Sequence, residues 1–233
     1  MLTDEQKQLK AEIHSLLAGR DLFTSIWDDC AKACNPRIAR QIVTPQQNYS
    51  PQTADIKTQL DTTAMQANQT LAGGQMAHIT PMGSEWFRLE PPDSIAHIPA
   101  AVTYYNLVTV AIRKYLANSN FYNVMHEQYL DHGAFGTSAM EIIPGRDNRG
   151  LHFRPLQIGS YAIAEDHYGV INTIARQYQV TAQQAAGLFD KASLPDPILQ
   201  ALDKGDRGLH TFTHYIRPNP DYDAENPFTD PLS

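Results

Sequence analysis

The sequence lacks a cysteine framework, an excess of positive charge and a long apolar run. Its two cysteines, Cys30 and Cys34, lie four residues apart in a predicted helix, which is poor geometry for a disulfide, so we interpret both as buried small residues in a reducing compartment. The 18 Lys and Arg against 25 Asp and Glu give a formal net charge of −7. This charge excludes the class of proteins that bind nucleic acid over their whole surface.

Membrane and targeting segments are also missing. The uncharged stretch nearest to a plausible membrane span, residues 94–112, contains histidine, proline, threonine and asparagine and is too polar to cross a bilayer. The N-terminus carries acids and bases with no apolar region behind them. We therefore expect a soluble, intracellular protein with no membrane partner. With 42% hydrophobic and 18% charged residues among 233, the chain has the composition of one large or two small folded domains.

An N-terminal helical arm and linker is predicted over residues 1–57. Thr3 and Gln6 form a capping-box pattern, which predicts a helix over 4–19. A second amphipathic helix follows and ends at Asn35-Pro36, because proline excludes the residue before it from the helical region. The polar residues 41–57, with two prolines, predict an extended connection.

Residues 58–217 are predicted to form an α+β domain in which helices come first and an antiparallel β-meander packs with them. Apolar residues at helical spacing predict helices near 60–74, 102–116, 121–130, 182–189 and after Pro195. A short strand-like run is expected at 86–89 and a last strand at 209–216. Between them, residues 138–180 predict three or four antiparallel strands in one sheet, separated by turn-rich segments.

The last segment, residues 218–233, contains Pro218, Pro220, Pro227 and Pro231 and stops without a closing element. We expect this segment to be a proline-rich tail that leads into a missing region.

Candidate metal ligands are few. His126-Glu127 invites comparison with the helical zinc protease motif, but that motif needs a second histidine four residues on, and the next one is His132. At a spacing of six residues the two imidazoles point about 120° apart around a helix. His210 and His214 share one face of a predicted strand but lie far apart along it. We predict no metal, cofactor or catalytic residue.

Other candidate motifs also favour a structural interpretation. Residues 72–75 lack the lysine of a phosphate loop, and residues 136–140 lack the second glycine of a nucleophile elbow. The aromatic residues Trp27, Trp86 and Phe87 are predicted to be core. The basic residues form pairs rather than a patch, so DNA-contacting residues stay unassigned. These basic pairs are Arg37 with Arg40 and Arg113 with Lys114.

Three blocks of sequence in a fixed order are more specific than any single residue. The first block is 60–64, 71–74, Thr80-Pro81 and 85–89; the second is 119–122 with Tyr129 and 133–140; the third is 158–161 with Asp166, Gly169, Thr181-Ala182, Gln184 and Phe189. Over nearly the whole chain, these blocks resemble the portal, or head-to-tail connector, proteins of short-tailed bacteriophages. The departures are small: a tryptophan is missing around Tyr104-Tyr105, and Asp190 stands where glycine commonly follows phenylalanine.

The resemblance implies a structural role in the virion. It implies a ring of about a dozen copies at one capsid vertex, through which double-stranded DNA is packaged and ejected. It also implies as partners the major capsid and scaffolding proteins, the terminase motor and the tail adaptor proteins, with assembly in the host cytoplasm. Family members typically continue for several hundred residues into a stem and clip, so this chain resembles their N-terminal, wing-like part.

Two further properties fit this expectation. The small residues of the predicted helix 60–74 suit close packing between subunits, and an acidic conduit does not hold the phosphate backbone tightly. We therefore expect a non-enzymatic structural protein. Two alternatives stay open. One is a metal-dependent hydrolase that uses some of His126, Glu127, Asp131 and His132, and the other is a monomeric adaptor module that docks through the prolines after residue 217.

Overall fold

The structure is a computed structural model that describes residues 3–35, 61–145, 149–219, 222 and 230–232, without the side chain of Glu5. The predicted linker, residues 41–57, and most of the predicted tail lie outside these residues. The described residues fall into two compact units. One unit contains residues 3–28 and 159–219, with 222 and 230–232, and the other contains 29–35 and 61–158. The expected domain boundaries at residues 57 and 217 stay predictions.

Helices and antiparallel strands make up both units, which confirms the predicted α+β class. In the described ranges the helices are α1 (Asp4–Asp21), α2 (Thr24–Cys34), α3 (Thr63–His78), α4 (Pro99–Ala117), α5 (Phe121–Phe135), α6 (Ala182–Leu188) and α7 (Asp196–Asp203). The strands are β1 (Ala139–Pro144), β2 (Leu151–Leu156), β3 (Tyr161–Glu165), β4 (Ile171–Thr181) and β5 (Leu209–Ile216). No helix of the described part combines the length and the apolar character that crossing a membrane requires.

The first unit is built on the three-stranded antiparallel sheet β3-β4-β5. Helix α1 packs on one face, where Leu17 is buried with Ala162 and Ala175. Helices α6 and α7 form a separate core cluster against which Val180 and Phe212 pack. Because successive side chains of a strand point to opposite faces, Ala175 and Val180 lie on opposite sides of β4. The sheet is therefore covered on both faces.

The second unit holds the two-stranded sheet β1-β2, with Ala139 opposite Leu156 and Pro144 opposite Leu151. Its core contains Leu116 and Phe121, together with Val124 and Phe153. Helix α3 packs against α5. At that contact Asn68 Nδ2 donates to the carbonyl oxygen of Leu130 at 3.0 Å.

The stretch 138–180 forms four antiparallel strands as predicted, but they do not join in one sheet. Strands β1 and β2 pair with each other, whereas β3 and β4 pair with each other and with β5. The break falls at Ile158 and Gly159: Ile158 is buried, and Gly159 has φ 83°, a left-handed conformation that ends an extended strand. The expectation of a single sheet is therefore wrong.

The run at residues 86–89 is not a strand. Its backbone hydrogen-bonds to a side chain rather than to a partner strand, since Leu89 N donates to Thr109 Oγ1 of α4 at 3.0 Å. The rings of Trp86 and Phe87 are half-buried and pack against the core of the second unit, where Trp86 stacks on Phe121 with centroids 6.0 Å apart. Aromatic burial explains the apolar pattern that predicted a strand.

Both cysteines are free and half-buried, so their predicted full burial is wrong. Burial raises the pKa of the Cys34 thiol, and the neighbouring Cys30 raises it further. Trp27 is also half-buried rather than core. Its ring stacks on Phe23, with centroids 5.7 Å apart, and about half of the Phe23 surface is exposed.

Candidate assembly surfaces

Helix α4 is apolar on two opposite sides. Its inner side carries Thr109 and Leu116, which are buried, and Ile112, which packs on the core of the second unit. Its outer side carries Tyr104 and Leu107, which are 62% and 65% exposed. The outer side is completed by Ala111 and Tyr115, both exposed.

The outer residues form one continuous stripe. Tyr104, Leu107, Ala111 and Tyr115 follow spacings of three and four, which places them on one face of a helix. At 1.5 Å per residue the stripe from Tyr104 to Tyr115 is about 16 Å long. Because large apolar side chains in contiguous patches mark interaction sites, this stripe, which we call the outer face of α4, is the main candidate assembly surface.

The β3–β4 hairpin presents a second exposed apolar group. Tyr168 is 79% exposed, and Val170 and Ile171 beside it are also exposed. The turn beneath them is held by Asp166, whose Oδ1 accepts from Tyr168 N at 2.8 Å and from Val170 N at 3.0 Å. Gly169 completes the turn with φ 76°. Apolar side chains on a fixed turn are suited to contact another chain.

The expected subunit-packing role of helix 60–74 has a different structural context. The buried residues of α3, Asn68 and Ala72, face α5 of the same unit. A methyl group added at Gly73 or Gly74 meets no atom within 4 Å. Some of the small residues therefore serve packing inside the chain, whereas these two glycines leave open space on the helix surface.

The four residues considered for a metal-dependent hydrolase all lie on α5. His126, Glu127 and His132 are exposed, whereas Asp131 is half-buried. Burial raises the pKa of Asp131 to about 6, and the Glu127 carboxylate adds to the shift. No group of three His, Cys, Asp or Glu side chains converges anywhere in the described ranges. The structure therefore places the four on one helix without assembling a metal-binding cluster there.

The remaining candidates are dispersed. His210 lies opposite Val180 and His214 lies opposite Arg176 on β5, so four residues of extended strand, about 13 Å, separate the two histidines. Arg113 forms an ion pair with Glu85 at 3.7 Å. Lys114 is exposed, and Arg37 and Arg40 lie outside the described residues. The basic residues of the described part therefore form no DNA-binding patch that we can define.

The outer face of α4 is the feature that the sequence analysis missed. The sequence did contain a signal for this face, because apolar residues follow helical spacing along two sides of the helix 99–117. Within the described residues only the inner side of α4 is buried, so the apolar outer side is left exposed.

Comparison with known proteins decides the family. Residues 6–230 match the family described as bacteriophage head to tail connecting protein. The chain belongs to this family. The match extends over both units of the structure, and it confirms the resemblance inferred from the order of sequence blocks.

Two curated relatives support the assignment. The chain is 31% identical over 221 residues to a probable portal protein of Bordetella phage BPP-1, with 94% of this chain and 39% of the relative covered. It is 26% identical over 227 residues to the portal protein of Salmonella phage epsilon15, with 96% of this chain and 40% of the relative covered. The chain thus spans about two fifths of the length of these relatives.

Proposed function

We propose that the chain forms part of a ring-shaped portal at one capsid vertex, which joins head to tail and conducts double-stranded DNA during packaging and ejection. The observation that carries this proposal is the outer face of α4. In an isolated chain the side chains of Tyr104, Leu107 and Tyr115 are exposed to water. The chain also belongs to the family of bacteriophage head to tail connecting proteins. A neighbouring copy of the chain is the occupant that we propose for this face.

Ring formation needs one further condition beside the contact. When a surface of one copy binds a different surface of the next, the contacts form a ring if the rotation between copies closes, and we propose that it closes after about a dozen copies. Burial of a large apolar side chain contributes about 1.5–3 kcal/mol. Three such side chains on the outer face of α4, repeated at every subunit contact, provide a strong driving force for association.

The charge of the chain suits a conduit. A formal net charge of −7 disfavours tight contact with phosphates, so DNA can pass without being held. We propose that the mechanism is geometric rather than catalytic, and that the protein is not an enzyme. Support comes from the two portal relatives.

The proposed partners follow from this position. They are the major capsid and scaffolding proteins, the terminase motor, the tail adaptor proteins and double-stranded DNA in the channel. The chain would assemble in the host cytoplasm and remain in the virion. We further propose that residues 1–57 act as an arm and linker, that 58–217 form the wing-like region, and that 218–233 lead toward the stem and clip.

Native mass spectrometry of the purified chain, with negative-stain images of the same sample, tests the proposal. The expected result is rings of about twelve subunits. A chain that stays monomeric at every concentration, both alone and within the longer gene product, would contradict it.

A further inference from the structure

The two sheets leave four outer strand edges, and these edges differ in how they are protected. Strands β1 and β2 are the edges of the two-stranded sheet, and β3 and β5 are the edges of the three-stranded sheet. An outer edge displays unpaired N–H and C=O groups that can bind a further strand. Proteins usually block such edges with proline, charge, a bulge or a covering side chain.

The outer edge of β2 is blocked. The side-chain amide of Asn120 makes two hydrogen bonds with the backbone of Phe153. Asn120 Nδ2 donates to the carbonyl oxygen of Phe153 at 2.6 Å, and Phe153 N donates to Asn120 Oδ1 at 2.8 Å. Pro155, two residues after Phe153 in β2, has no backbone N–H that could donate to a further strand. No further strand can therefore use the middle of this edge.

The same contacts define which groups of β1 point outward. Because Phe153 turns its N–H and C=O toward Asn120, it does not exchange hydrogen bonds with Ile142, the residue opposite. In an antiparallel pair, bonded and non-bonded residue pairs alternate. The backbone groups of Ile142 and Met140 thus point away from β2. Ile142 is also 59% exposed, so this edge carries an accessible apolar side chain.

Strand β5 has the longer open edge. Gln177 N donates to Ser160 O at 2.9 Å, on the β3 side of β4. Thr213, opposite Gln177, is therefore in a non-bonded pair and turns its backbone groups outward, as do Thr211 and Tyr215. The eight residues of β5 contain no proline and no Asp, Glu, Lys or Arg, and the register with β4 has no shift.

Strand β3 is different again. It has only five residues and ends at Glu165, where its pairing with β4 becomes irregular because Asn172 of β4 has no opposite residue. Shortness and a terminal charge are devices that discourage pairing. Within the described residues, the edges without such protection are therefore β5 along its length and β1 at Met140 and Ile142, before its terminal Pro144.

We propose that the outer edge of β5 pairs with the outer edge of β1 of a second copy. This inference rests on the proposed ring, which needs a contact between two different surfaces of the chain. The two edges meet that need, since each carries unpaired N–H and C=O groups that can bind those of the other. Neither opposes the pairing by charge, because β5 has no charged residue and Glu141 of β1 is bound by Arg154.

Proline substitution tests this pairing with little disturbance of each sheet. At Thr213 and Ile142 the N–H points outward, so Thr213→Pro and Ile142→Pro remove a donor that the sheet itself does not use. The matched controls Thr213→Val and Ile142→Val keep the N–H. If circular dichroism shows that a proline variant does not fold, Thr213→Lys and Ile142→Lys replace it, since both side chains are exposed.

Native mass spectrometry of single and mixed variants gives the decisive comparison. We expect each blocked variant alone to need at least a tenfold higher concentration to assemble, with the valine controls unchanged. A mixture of Thr213→Pro and Ile142→Pro chains should form one-to-one dimers, because one partner keeps β1 open and the other keeps β5 open. Dimers of Ile142→Pro alone would indicate β5–β5 pairing and overturn the inference.

Two other outcomes separate this inference from the proposed function. If all blocked variants assemble as the unchanged chain does, strand pairing is overturned and the ring stands. If the unchanged chain assembles neither alone nor within the longer gene product, the ring and the strand pairing are both overturned.

Discussion

Gly133 of α5 lies directly against the side-chain amide of Asn68 on α3. A methyl group at position 133 would fall far inside van der Waals contact with Asn68 Oδ1. That amide is buried and donates to the carbonyl oxygen of Leu130 at 3.0 Å. The absence of a side chain at position 133 therefore allows the two helices to approach while Asn68 keeps its hydrogen bond.

We predict that Gly133→Ala destabilises the chain by about 1–3 kcal/mol, because the new methyl group displaces the Asn68 amide. The matched control is Gly73→Ala on α3, where the added methyl group meets no atom within 4 Å. That control should stabilise the chain by about 0.4–1 kcal/mol through its effect on the unfolded state. Urea unfolding measures both, and effects of equal sign would contradict the packing described for Gly133.

The pair Asn120 and Phe153 gives a second prediction. Asn120→Ala removes two hydrogen bonds and leaves the backbone groups of Phe153 without partners beside a side chain that is 2% exposed. The expected loss is about 1–3 kcal/mol in the free energy of unfolding. Asn120→Asp keeps the acceptor and loses the donor, so it should fall between Asn120→Ala and the unchanged chain.

The control for Asn120 is Asn118→Ala, two residues earlier and exposed. It should change the free energy of unfolding by less than about 0.5 kcal/mol. Urea midpoints of the three variants provide the measurement. An Asn120→Ala midpoint equal to that of Asn118→Ala would show that the amide adds nothing to this sheet edge.

Local signals in the sequence predicted local structure well. The pairs Thr3 with Gln6 and Thr181 with Gln184 form capping boxes at the starts of α1 and α6, as their spacing indicates. Such pairs are decided by contacts three residues apart. The starts of α1 and α6 are therefore determined by the adjacent sequence.

Pairing between distant segments was not predictable in the same way. Alternation showed that residues 138–180 form strands but not which strands are partners, because each partner lies elsewhere in the chain. The division between β2 and β3 depends on Gly159, whose carbonyl oxygen accepts from Arg20 Nη1 at 2.7 Å, a contact 139 residues away. Likewise, only the structure distinguishes the covered and uncovered sides of α4.

A third prediction concerns pH. Burial, followed by repulsion from Glu127, raises the pKa of Asp131 from its model-compound value of 3.8 to about 6. Between these values the folded chain holds a proton that the unfolded chain has lost. The stabilisation from protonated Asp131 is therefore fully present below about pH 4 and is lost as the pH rises through about 6.

Asp131→Asn should remove this dependence. At pH 7.5 we expect the variant to be more stable than the unchanged chain by about 1–2 kcal/mol, which is less than the full shift because solvent reaches part of the carboxylate. At pH 4 the two should unfold at similar urea concentrations. The control is Glu127→Gln, which keeps Asp131. Its free energy of unfolding should still fall between pH 4 and pH 7.5. If the free energy of unfolding depends on pH in the same way for Asp131→Asn and for the unchanged chain, the raised pKa of Asp131 is contradicted.

The fourth prediction concerns the outer face of α4. Leu107 is exposed, so Leu107→Lys leaves the core of the unit intact. Burying a lysine at a subunit contact without a partner charge is costly. We therefore expect at least a tenfold higher concentration for ring assembly, with unchanged circular dichroism.

Asn106→Lys adds the same charge to the same helix and supplies the matched control. Asn106 is exposed and lies about 100° from Leu107 around the helix axis, on the side away from Tyr104 and Ala111. Negative-stain images and native mass should show that Asn106→Lys assembles as the unchanged chain does. If both lysine variants weaken assembly equally, the effect comes from added charge rather than from the apolar stripe. If neither weakens it, the outer face of α4 contacts something other than a neighbouring copy.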